Sequence, residues 1–179
     1  MKKNMKGILA LMLCLLTLVA FVGCKEKESK SNNEGDKAEK QNAVSVEFSI
    51  TANGTKVTLG ADAAPILSAL GTPVAESSVG NCGGKAGAWT RYTYPGFYLL
   101  VLENGSSKTV DQIELRDDSI LTPKGVGIGS PKDSVTAAYG NGYDKSQSSD
   151  SALVYKQGNK QLEFYLQNGV VSGVIFACK

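Results

Sequence analysis

The stretch Thr122–Gly140, TPKGVGIGSPKDSVTAAYG, constrains this chain more than any other. It reads as a loop, a Gly-rich entry, a short helix and a glycine stop. A related wording stands earlier, TLGADAAPILSALG at Thr58–Gly71. Gly60 aligns with Gly129 and Gly71 with Gly140 at a constant offset of 69, and Ile66, Ala69 and Leu70 align with Val135, Ala138 and Tyr139. In the later copy Ser130 can cap the helix, Pro131 suits its first position and Asp133 completes a capping-box-like pattern. In the earlier copy Asp62 is the cap. Gly71 and Gly140 suit a left-handed C-terminal stop. Helices of about two to three turns are marginal alone and must dock on something.

The segments after each helix supply a sheet. Trp89–Tyr94 and Gly96–Glu103 read as strands, and so do Ala152–Lys156, Lys160–Gln167 and Val170–Ala177. Leu162, Phe164 and Leu166 alternate with Glu163, Tyr165 and Gln167, the period of a strand with one buried face. Asn104-Gly105 matches Asn168-Gly169, and Val110–Leu115 matches Val171–Phe176. Ahead of the first helix, Val44, Val46, Phe48 and Ile50 alternate with polar residues. Asn53-Gly54 then signals a hairpin whose return strand is Lys56–Leu59. The expected fold is α+β: a tandem repeat of one helix followed by three antiparallel strands. The helices would lie on one face of a continuous antiparallel sheet, with an N-terminal β-hairpin. The globular domain spans 44–179, with the hairpin at 44–59, repeat one at 58–115 and repeat two at 122–177.

This arrangement resembles the β-lactamase-inhibitor-protein-like fold, which also occurs singly in a small outer-membrane assembly lipoprotein. The likeness covers most of Thr58–Lys179 and rests on pattern plus the GIG-SPKDSV-AAYG wording. Three further motifs are similar to those of extracellular lipoproteins of clostridial bacteria. They are NCGGKAG at Asn81–Gly87, YTYPGF at Tyr92–Phe97 and TPKGVGIG at Thr122–Gly129. The resemblance implies a fold and a location and no enzymatic activity.

The N-terminus gives the same address. Met1–Lys6 is basic, Ile8–Val22 is apolar, and small residues lead to Cys24. The apolar run is shorter than the roughly 20 residues that span a bilayer, and the pattern is that of a secretory signal. Phe21-Val22-Gly23-Cys24 resembles a bacterial lipobox, with Phe21 in place of the usual Leu. The expectation is a lipoprotein signal peptide at 1–23 and a lipidated Cys24. The anchor would hold the protein to the cell membrane on its extracytoplasmic face, because each buried CH₂ contributes about 0.8 kcal/mol. Residues 24–43 carry five Lys and five acidic residues and almost nothing apolar. That composition predicts a disordered tether.

Charge and residue types narrow the chemistry. Val44–Lys179 holds 11 Lys/Arg against 12 Asp/Glu without a basic cluster, so nucleic acid is not an expected partner. Histidine is absent, which removes the commonest general base and metal ligand. No metal or cofactor site is expected, because Cys and His are too few for zinc and the run near Asp117-Asp118 lacks calcium-loop spacing. Asn81–Gly87 lacks the order and ending of a phosphate loop and reads as a connection. Outside the cytoplasm Cys82 and Cys178 favour a disulfide, the alternative being two separately buried thiols. A bridge closing that loop contributes about 4–5 kcal/mol in the chain-entropy model.

One surface merits a functional reading. The match between the halves turns Tyr98, Leu100 and Leu102 toward the helices and puts Phe97, Leu99 and Val101 on the opposite face. Trp89, Arg91, Phe97, Leu99 and Tyr165 then form a candidate binding face, unless another strand or the hairpin covers it. The expected protein is a cell-surface, lipid-anchored, non-enzymatic binding protein, its partner another protein or an envelope component. The fold resemblance alone offers a second class, an inhibitor of a secreted hydrolase. An enzyme is disfavoured by the missing histidine.

Overall fold

Asn53 and Gly54 both take positive φ, 49° and 74°, the backbone a tight two-residue hairpin demands. They join β1 (Ser49–Ala52) to β2 (Thr55–Thr58) in a separate two-stranded sheet. The computed structural model describes residues 45–80 and 86–179. The expected signal peptide, Cys24, the tether and Cys82 lie outside those residues. The hairpin's first strand begins at Ser49, later than the alternation suggests, although Phe48 is buried and its carbonyl accepts from Leu59 N–H.

Asp62 opens α1 (Ala63–Leu70) by accepting the Ala64 N–H at 3.0 Å. The second helix, α2 (Lys132–Tyr139), starts differently from expectation. Pro131 holds its N-cap position with no side-chain bond, and Ser130 Oγ accepts from Gly127 N–H instead. The reason is that Ser130 is committed to the sheet. Val171 N–H donates to its carbonyl, and Pro131 bridges Val170. Both helices end on a glycine whose N–H turns back into the last turn, Gly71 to Leu67 and Gly140 to Thr136.

Between and after the helices run β3 (Ala75–Val79), β4 (Ala88–Tyr94), β5 (Phe97–Asn104), β6 (Ser107–Leu115), β7 (Ala152–Gln157), β8 (Lys160–Gln167) and β9 (Val170–Cys178). They form one antiparallel sheet in the order β3-β4-β5-β6-β9-β8-β7. This corrects the expected α+β tandem repeat of one helix and three strands. The described residues are mostly β, and four strands follow α1 where three follow α2. The extra strand, β3, is AESSV with every residue at least partly exposed. It has no apolar alternation by which a sequence reading could find it.

One face of the large sheet is sealed. Phe97, Leu99, Val101, Ile113, Leu115, Leu162, Phe164, Val174 and Phe176 are buried there. They share a core with Ile50 and Val57 of the hairpin and with Ile66, Leu70, Val135 and Tyr139 of the helices. Two tyrosines tie the helix ends to this core. Tyr94 donates its hydroxyl to Gly71 O at 3.2 Å, and Tyr155 donates to Gly140 O at 2.8 Å. Burial pushes the Tyr155 hydroxyl up to about 12, so it stays a donor at any ordinary pH.

Candidate binding face

The other face of the sheet carries a different population. One row crosses all seven strands as Ser77, Arg91, Leu100, Gln112, Ala177, Gln161 and Lys156. The next row is Ala75, Thr93, Tyr98, Glu114, Ile175, Glu163 and Val154. Trp89, Tyr98, Leu100, Leu102 and Ile175 stand here and lie outside the buried core cluster. Tyr98, Leu100, Leu102 and Ile175 are half-buried.

At the β4–β6 end an aromatic ring is held between two cations. The Arg116 guanidinium lies 4.6 Å from the Tyr98 ring centre and that of Arg91 lies 5.3 Å away. Such contacts contribute about 0.5–1 kcal/mol each at exposed sites and fix the ring's orientation. Glu114 holds Arg116 in place at 2.7 Å and raises its pKa further. Trp89 beside them is buried, and its Nε1 donates to Asp111 Oδ2 at 3.0 Å. A bulge makes that bond possible. Leu100 pairs with Gln112 and Val101 with Val110, which leaves Asp111 as the extra residue of β6. Such an insertion re-aims a side chain.

At the β8 end Glu163 is the hub. It is buried, accepts the Tyr165 hydroxyl at 2.5 Å and the Gln161 amide, and meets Lys179 at 3.3 Å. Burial pushes its carboxyl up, but the bonds from Tyr165 and Gln161 and the Lys179 charge outweigh it. The net pKa is lowered. The same hydrogen bond, with burial, raises Tyr165 to about 12. Tyr165 is 41% exposed, so its ring faces solvent while its hydroxyl is pinned. Glu163→Gln is expected to move the Tyr165 midpoint back toward 10, the ordinary tyrosine value, in an ultraviolet titration. A midpoint unmoved in that variant counts against the carboxylate as its cause. Because the Glu163 carboxyl is depressed, its stabilisation is complete above the ordinary value of 4.5 and is lost as pH falls below that through the folded-state pKa.

The structure keeps Trp89, Arg91 and Tyr165 of the expected face together on this surface and removes Phe97 and Leu99. Those two are 1% and 0% exposed, in the core. The error lies in a turn. Asn104 pairs with Ser107, so Gly105 and Ser106 are the loop residues, whereas Gln167 pairs with Val170 and the loop is Asn168-Gly169. Matching Asn104-Gly105 to Asn168-Gly169 slips the strands by one position, and a one-residue slip exchanges the two faces. Tyr98, Leu100 and Leu102 are the face residues this slip concealed; Glu163 already stood beside Tyr165 in the sequence alternation, and Arg116 lies past the end of β6. The remaining sequence candidates serve local structure. Asp117 accepts both Ser119 N–H and its hydroxyl, which lowers the Asp117 pKa. Thr122 Oγ1 accepts from Val126 N–H within the TPKGVGIG loop. Cys178 ends β9 and packs against the core.

No family model matches this chain, and no curated protein does. Among solved structures it is similar to an extracellular protein containing an SCP domain from Bacillus anthracis str. Ames. Identity there is 12% and the TM-score 0.42, over 87% of this chain and 50% of that one. It is also similar to a DUF4309 family protein from Bacillus subtilis subsp. subtilis str. 168. For that pair identity is 17% and the TM-score 0.38, over 72% of this chain and 84% of that one. The chain thus spans half the length of the first neighbour, and neither likeness is near enough to carry a functional argument.

Proposed function

We propose that this protein is a non-enzymatic binding module that engages a protein or envelope ligand through the outer face of its large sheet. The observation that supports it most is Tyr98, a half-buried ring within cation–π range of both Arg91 and Arg116, on the same strand face as half-buried Leu100 and Leu102 and outside the core. Rigid aromatic and arginine anchors beside aliphatic surface are the composition of interface centres. The leader and Cys24 support an extracytoplasmic, lipid-anchored location, with the membrane as a second partner through the lipid.

The test immobilises the full chain and its Leu100→Asp variant and compares what each retains from a native envelope extract. Species bound through this face should fall by about tenfold or more on the variant. Melting midpoints within a few degrees of each other would show that the fold is intact. An unchanged retained set would exclude this face as the binding surface.

A further inference from the structure

The two rims of the seven-stranded sheet are finished differently. Residues 144–151 close the β7 rim. Asp144 N–H donates to Val154 O at 2.7 Å, Ser148 Oγ accepts from Val154 N–H at 3.0 Å, and Lys156 pairs with Asp144 at 2.9 Å. Among the described residues β3 has β4 as its one strand partner. Ala75 to Ser78 are exposed, Val79 is half-buried, and Val74 just ahead of them is 73% exposed. The strand carries no proline, no lysine and no register shift against β4, the usual guards of an open edge.

We propose that β3 pairs antiparallel with β3 of a second copy of this chain, about a two-fold axis through Ser77. Main-chain bonds along an edge are indifferent to sequence, so side-chain complementarity decides the partner. In this register Ser77 faces its own copy, Glu76 faces Ser78 and Ala75 faces Val79. No like charges stand directly opposite, and the apolar pair lies on the side shared with Trp89 and Arg91. An axis through Glu76 would instead set two carboxylates against each other, a destabilising pair. An isologous contact of this kind needs one self-complementary patch, and β3 supplies it. The pairing leaves the outer face free, so it does not depend on the proposed function. Five residues per copy bury far less than the roughly 800 Å² per partner of a stable complex, so the association is weak.

Cross-linking reads a weak pairing and its register together. Ser77→Cys, Glu76→Cys and Ser78→Cys are made in the full chain in detergent and oxidised mildly, with the unaltered chain measuring the background of native cysteines. The axis brings residue 77 to its twin at a Cα separation of about 4.5–5.5 Å, inside disulfide range. Residues 76 and 78 meet their own twins only diagonally, at about 7–8 Å. Ser77→Cys should give at least about tenfold more covalent dimer than the other two. Equal cross-linking at the three positions, or no excess over background, overturns the proposal. The two Glu76 carboxylates also sit on that diagonal, so Glu76→Gln should tighten association about two- to threefold in sedimentation equilibrium. Unchanged or weaker association in that variant overturns the register.

Discussion

Replacing Phe97 by alanine is expected to destabilise the domain by about 3–5 kcal/mol and to lower its melting midpoint by about 10–20 °C. Phe97 is 1% exposed and stacks on Tyr94 with ring centres 5.2 Å apart. It pairs with Leu115 across the strand, in a core the hairpin and helices also line. Truncation removes the transfer energy of the ring and leaves a cavity that fixed strands cannot collapse to fill. Tyr98→Ala is the control, one residue away with its ring on the outer face. It should cost about 1 kcal/mol, the order of its cation–π contacts. Thermal or denaturant unfolding of the two variants measures the difference. Equal losses would reverse the assignment of faces to β5.

The second large effect is expected at Gly96. Pro95 and Gly96 turn β4 into β5, with Gly96 at φ 82°. A side chain there suffers the left-handed penalty of about 1–2 kcal/mol. It also meets an occupied space. An added Cβ would collide with Ser119 Oγ and stand 3.2 Å from Asp117 Oδ1 and from Ile120 Cδ1. The Asp117–Ser119 turn would have to open and Ile120, buried in the core, would have to move. Gly96→Val should therefore lose about 2–4 kcal/mol in total. Gly105 takes φ 61° with nothing within 4 Å of an added Cβ, so Gly105→Val isolates the backbone penalty. Denaturant midpoints of the two variants separate strain from collision. A Gly96→Val loss no larger than that of Gly105→Val would show that the turn has room.

Local chemistry was readable in advance, and pairing chemistry was not. Asn53-Gly54 fixes a hairpin because few residues take its backbone angles, and Asp62 caps α1 because its carboxylate reaches one free N–H. Ser130 shows the limit. It has the right type and position for a cap, but its carbonyl is held by Val171, some 40 residues on. β3 is hard to find because Ala75 and Val79 are its only apolar residues and Ser77 between them breaks the alternation. The cover over β7 was invisible because Asp144, Ser148 and Ser149 are ordinary loop residues until Val154 and Ala152 are beside them. The candidate face is exchanged by one position of a turn, and the bulge at Asp111 shows in β6 only as a spacing of three between buried Val110 and Ile113 where Ile113 and Leu115 are two apart. Trp89, Arg91 and Tyr165 keep their side because the β5–β6 turn does not set the register of β4 or β8.

The shielded margin at β7 limits how far this molecule could grow by strand addition. A fibril needs two receptive borders on each subunit, one to receive and one to offer. Here one border is occupied by the chain's own loop, so any self-association through the other stops at a closed pair. Crowding many copies together would then fill pairs without seeding a polymer.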